Sequence, residues 1–163
     1  MHVKEAFAPE DWARVVGAPM LAAIAVTAAD PGGLWGAVKE SAAAAGALRE
    51  AKGAAGDNPL IAEIVAAYES PAGREMARGV LKAEVRGRTP AAVVDAAVAE
   101  LGAVAALVTS KVPEAAPGFK AWLNAVAAKV AEAGSEGGLL GFGGEKVSAA
   151  ERATLDRLAA ALA

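Results

Sequence analysis

The chain predicts an all-α fold, a compact multi-helix bundle of about seven or eight helices in a single domain over 1–163. Three observations carry this reading. Alanine supplies 47 of the 163 residues, and it is the strongest helix former. Apolar residues recur at helical spacing, and no stretch alternates like a strand between hairpin signals. Eight prolines punctuate the chain, and four of them follow a residue suited to cap a helix N-terminus, at 30–31, 58–59, 70–71 and 89–90. Proline is favoured at the first helical position because its missing N–H has no helical partner there, and a preceding Asp, Asn, Ser or Thr accepts from a free first-turn amide.

The elements follow in order. Helices are expected at about 9–16 and 19–29, with a single helix kinked by Gly17 and Pro19 as the alternative. A third covers about 31–51 and ends near Gly53. The fourth, about 59–69, places Leu60, Ile61, Ile64, Val65 and Tyr68 on one face. The fifth covers about 71–86, with Met76, Ala77, Val80 and Leu81 apolar. The sixth, about 90–110, carries Val94, Ala97, Val98, Leu101, Val104, Ala105 and Val108. Pro113 is placed to begin a short extra turn. The seventh, about 117–133, carries Phe119, Trp122, Leu123, Val126 and Val130. The eighth, about 148–162, carries Leu155, Leu158, Ala159 and Leu162. With so many alanines, the helices should pack closely. The stretches around Val26-Thr27 and Val108-Thr109 share a Val-Thr helix end, a proline-containing turn and an aromatic opening the next helix. This pattern admits a degenerate duplication of a helical hairpin, or chance similarity in an alanine-rich chain.

Composition excludes several chemistries. There are no cysteines, so no disulfide, thiolate metal site or cysteine nucleophile exists. The single histidine, His2, follows the initiator methionine, which leaves no histidine-based catalytic set or metal centre. No Glu-x-x-His motif of a di-iron bundle occurs. Asp57-Asn58 could contribute to a hard-cation site, but it lies where a helix cap is expected. No catalytic residue, metal or cofactor is therefore assigned. The net charge of −3 argues against nucleic-acid binding over the whole surface. The longest uncharged apolar run, 15–29, has 15 residues against the roughly 20 that cross a bilayer, so no integral membrane segment is expected. Acidic Glu5, Glu10 and Asp11 ahead of that run do not suit a secretory leader, and a cytoplasmic location is expected.

Three features stand out as candidate sites. The first is a glycine-rich apolar loop at 134–147, whose core reads "GGLLGFGG". A phosphate-binding loop would end in Gly-Lys-Ser/Thr after a strand; here Glu145 interrupts the pattern. Ser148-Ala149-Ala150-Glu151 instead fits a capping box, with serine capping forward and glutamate back. Leu139, Leu140 and Phe142 need cover, either as a lid over the end of the bundle or as a tip that docks a partner or a membrane surface. The second is a basic stripe of Arg74, Arg78, Lys82 and Arg86, four residues apart, with Arg88 just beyond. Such a stripe is either a solvated face paired with acidic neighbours or an anion-binding surface. Residues 71–90 hold five positive and two negative charges, against five and nine over 1–70 and six and eight over 91–163. The third is the set Trp12, Trp35 and Trp122, each near a helix start. They either anchor the core, their indole N–H groups finding polar partners, or line a small-molecule pocket.

The combination of "GAPMLAAIAVTAADPGGLWGAVKES" with "GGLLGFGGEKVSAAERATL" resembles a set of uncharacterised bacterial alanine-rich all-helical proteins, over nearly the whole chain. The resemblance implies an all-helical fold and carries over no activity and no catalytic residue. The functional expectation is a non-enzymatic bundle acting through protein–protein contacts, with self-association among them. Its alternatives are a peripheral binder of anionic surfaces and a carrier or enzyme with a tryptophan-lined pocket.

Overall fold

The computed structural model describes residues 2–29, 57–136 and 149–163. Among the described residues it holds a 3₁₀ turn, Val3–Ala6, and six α-helices: α1 (Pro9–Ala29), α2 (Pro59–Glu69), α3 (Pro71–Val85), α4 (Pro90–Lys111), α5 (Ala116–Glu136) and α6 (Ala149–Ala161). No strand occurs among them. The all-helical bundle is as expected, but six helices replace the expected seven or eight. The helix expected at 31–51 lies outside the described residues. The two expected at 9–16 and 19–29 are one.

That one helix organises the fold. α1 packs against every other α-helix. From Val15 to Ala28 every side chain is buried except the half-buried Met20 and Thr27. A helix enclosed on all sides must be slender enough for its neighbours to reach it, and alanine and glycine make it so. At Gly17 the approach is closest: a Cβ there would lie 2.7 Å from Cγ1 of Val80 on α3.

Pro19 sits inside α1, which corrects the reading that it opens a new helix and agrees with the alternative of a single helix through Gly17 and Pro19. Proline has no N–H to donate to the carbonyl four residues back, and its ring crowds the preceding turn. Burial from all sides holds the helix together across this defect. Tyr68 of α2 reinforces it from outside, its hydroxyl donating to the Val16 carbonyl at 2.5 Å. Burial pushes the Tyr68 hydroxyl well above the ordinary tyrosine range, which keeps it a donor.

Three of the four prolines behind polar caps open helices as expected, and Asp30-Pro31 lies outside the described residues. Oδ1 of Asn58 accepts from the amides of Leu60 (3.0 Å) and Ile61 (3.4 Å). Oγ of Ser70 accepts from Gly73 (3.0 Å), and Oγ1 of Thr89 from Ala92 (3.3 Å). Ser70 also ends α2, since its N–H and its hydroxyl both donate to the Ala67 carbonyl. This corner is so tight that a Cβ on Gly73 would overlap that carbonyl. α3 terminates at Gly87, whose φ of 74° suits a residue without a side chain. Pro113 falls in the turn joining α4 to α5, where the N–H of Ala116 bonds back to its carbonyl.

The core is one cluster, drawing Leu21, Ile24, Leu60, Ile64, Leu101, Val104, Phe119, Leu123 and Leu158 from five helices. The expected faces of α2, α4 and α5 point inward. On α6 the core positions are Leu158 and, just beyond the helix, Leu162, whereas Ala159 is exposed, correcting its place on that face. Thr27 and Thr109, at corresponding places near the ends of α1 and α4, each bond the carbonyl four residues back, Ala23 at 2.9 Å and Ala105 at 2.8 Å. Thr154 of α6 makes the same bond to Ala150 at 3.0 Å, so this geometry does not separate duplication from chance similarity.

Gly17→Ala gains about 1 kcal/mol of helix propensity but drives a methyl into stiff Val80, a clash of about 1–3 kcal/mol. Chemical denaturation should show net destabilisation, with Val80→Ala in the same chain recovering part of the loss. Tyr68 is the single tyrosine, so tyrosinate absorbance follows it alone. Its folded pKa is raised, so its contribution is fully present below the unfolded value of about 10 and is lost as pH climbs toward the folded value. Wild type should lose stability across that alkaline interval with one linked proton, and Tyr68→Phe should abolish that slope.

Candidate functional site

The basic stripe lies on α3, a helix that buries only Gly73 and Ala77 and half-buries Met76, Val80, Leu81, Glu84 and Val85. Arg74, Arg78, Lys82, Arg86 and Arg88 are all exposed. Arg88 is engaged structurally. Its guanidinium donates to the carbonyls of Ala83 (3.3 Å) and Glu84 (2.5 Å) and pairs with the Glu84 carboxylate, capping the C-terminal end of α3. Arg74 donates to the Tyr68 carbonyl (3.0 Å). Arg78 lies 3.6 Å from Glu75 with both side chains largely in water, a pair worth little. Lys82 and Arg86 form no ion pair among the described residues.

α4 offers a different surface. Its mean hydropathy is 2.0, above the 1.5 of α1, yet only 39% of its apolar stretch is buried against 67% in α1. The outer side is exposed at Ala91, Asp95, Ala99, Ala103, Ala106 and Ser110. Ion pairs flank it. Nε of Arg14 meets Glu100 at 2.6 Å, and Arg157 meets Asp95 at 2.8 Å. The bond to Glu100 leads the causes that raise the Arg14 pKa. α6 runs alongside, its Ala161 within 4 Å of where a Gly102 side chain would be. By length and composition both α1 and α4 could cross a membrane. The expectation of no such segment considers only the uncharged run 15–29, whereas α1 begins earlier and includes Glu10, Asp11 and Arg14, and α4 carries Asp95 and Glu100 within it.

The tryptophans pair with phenylalanines. Trp12 is half-buried 6.0 Å from the Phe7 ring, and Trp122 is buried 6.5 Å from Phe119. Among the described residues the Trp122 indole N–H meets no acceptor, contrary to the expectation that each indole finds a polar partner. Such an orphan donor costs stability, in return for the large apolar area the ring buries. Trp35 and the loop residues Leu139, Leu140 and Phe142 lie outside the described residues, as does Ser148; α5 extends through Glu136, so the first residues of the expected 134–147 loop are helical.

Asn58 does more than cap. Its Nδ2 donates to the Ala115 carbonyl at 3.0 Å, tying α2 to the α4–α5 turn. With Val3, Asp57, Pro59, Val112 and Glu114 it lines an open pocket of about 190 Å³, below the roughly 300 Å³ where small-molecule sites begin. Nearby, the Glu63 carboxylate accepts from the amides of Val3 and Lys4, both at 2.8 Å, and lies 3.3 Å from His2 Nδ1. Sequence reading missed both devices, because each joins residues about 60 positions apart. No group of three His, Cys, Asp or Glu side chains able to hold a metal occurs among the described residues.

Comparison with protein-family models, with curated proteins and with solved structures finds no match, which leaves the resemblance noted above without support from them.

Asn58→Ala removes both the cap and the tie to Ala115. It should cost about 1–2 kcal/mol, read by thermal or chemical unfolding, and Asn58→Asp should recover the capping share alone.

Proposed function

We propose that this protein is a non-enzymatic helical bundle that acts through protein–protein contacts, self-association among them, and that the outer face of α4 is where they are made. One observation carries the reading: the more apolar of the two long apolar helices is the less buried one. Exposed Ala99, Ala103 and Ala106, with half-exposed Ala92, Ala96 and Gly102 beside them, make a low surface, bordered by Asp95, which Arg157 holds. Another helix can approach such a surface closely enough for extensive van der Waals contact.

The proposal sets the protein in water. Glu100 lies midway along α4 and pairs with Arg14 at a partly solvated position. The same charges at the centre of a bilayer would be costly. A cytoplasmic location belongs to this proposal, and α1 then serves as a core helix.

Sedimentation equilibrium over a concentration series tests the reading. Wild type should self-associate or hold a partner, and Ala103→Glu, which places a charge at the middle of the face, should weaken that assembly at least tenfold with helicity unchanged. A wild-type chain that stays monomeric at high concentration and captures no partner overturns it.

A further inference from the structure

We propose that the outward face of α3 docks electrostatically and reversibly on an anionic phospholipid surface, through Arg74, Arg78, Lys82 and Arg86. The inference stands on α3 alone and does not depend on the α4 face.

Residues 71–90 hold five cations against Glu75 and Glu84 in a chain whose net charge is −3, so this segment is positive while the stretches on either side of it are acidic overall. From Arg74 to Arg86 the stripe runs about 18 Å along the helix axis. A four-residue spacing also carries it slowly around the helix. The cations therefore spread over a surface and do not converge on a point. That distribution matches a plane of many anionic groups better than a single phosphate in a pocket.

The neighbouring residues separate a bilayer from a protein partner. On the outward side the stripe is accompanied by Ala72, Glu75, Gly79 and Ala83, all exposed, and nothing lies within 4 Å of where a Gly79 side chain would be. No aromatic residue stands among the cations, and the large aliphatic residues nearest them, Leu81 and Val85, are half-buried toward the core. A specific protein interface draws most of its energy from such anchors, while attraction to an anionic leaflet needs only long, mobile cationic side chains. Nucleic acid is disfavoured because its binding strengthens with each phosphate neutralised, and the rest of the chain is acidic overall.

The four cations are not equally committed. Arg74 holds the Tyr68 carbonyl and Arg78 lies near Glu75. Lys82 and Arg86 make no such contact among the described residues, so they can turn to a headgroup without breaking anything. They are the positions to alter.

Vesicle sedimentation with the full chain decides the matter. Wild type should bind vesicles of phosphatidylcholine with phosphatidylserine, bind phosphatidylcholine alone weakly, and be released by high salt. Each cation near an anionic leaflet is worth about a fivefold change in partitioning, so Lys82→Gln with Arg86→Gln should reduce binding by about 25-fold. Lys120→Gln with Lys129→Gln, both on α5, should leave it within about twofold. Circular dichroism confirms that each variant is folded. Equal recovery with neutral and anionic vesicles overturns the proposal, as does equal loss from both pairs of substitutions. Tighter salt-sensitive retention on polyglutamate or RNA than on the anionic vesicles also overturns it.

Discussion

A helix enclosed on every side must keep much of its surface small so that its neighbours can reach it, and α1 does so by setting Leu21, Ile24 and its valines among alanine and glycine. Its run from Val15 to Ala28 lies almost wholly out of water. Alanine and glycine keep its cylinder narrow, so α3, α4, α5 and α6 can all reach it. At Gly17 the fit to Val80 leaves no room for a methyl group. The same enclosure lets Pro19 stay within the helix. The missing backbone bond is a local defect in an element held by packing from all sides, and Tyr68 donates to a carbonyl in the turn before it.

The connections show a second economy, in which one residue serves two elements. Ser70 ends α2 and caps α3, with Gly73 admitting the tight corner. Asn58 caps α2 and holds the α4–α5 turn. Glu63 reaches from α2 to the first amides of the chain. Each of these contacts satisfies backbone groups that a helix terminus leaves open, so the order of the ends and the order of the bundle support each other.

Wrapping other helices around α1 leaves outward faces of contrasting character. α3 turns cations to solvent and only modest apolar surface to the bundle. α4 turns one side to the core and an alanine surface outward. The first suits long-range, salt-sensitive attraction and the second suits close contact, so the two proposals draw on separate physics and can fail separately. Neither requires thiol or imidazole chemistry, for which this sequence offers no cysteine and one histidine, His2.

By itself the sequence determined the helical class, the caps at Asn58, Ser70 and Thr89, and the inward faces of α2, α4 and α5. These are local properties, governed by intrinsic propensity, by a polar residue immediately before a proline, and by a repeat of 3.6 residues. Pro19 shows the limit of that legibility: its neighbour Ala18 cannot cap, which was the available sign that the helix continues. Only the tertiary structure decided that α1 is central, that Val80 lies over Gly17, that Tyr68 serves Val16 and Arg88 the end of its own helix, and that the alanine face of α4 is left outside. Alanine is compatible with core and surface alike, so its pattern does not say which face another helix will cover. That choice is made when helices far apart in the chain pack together.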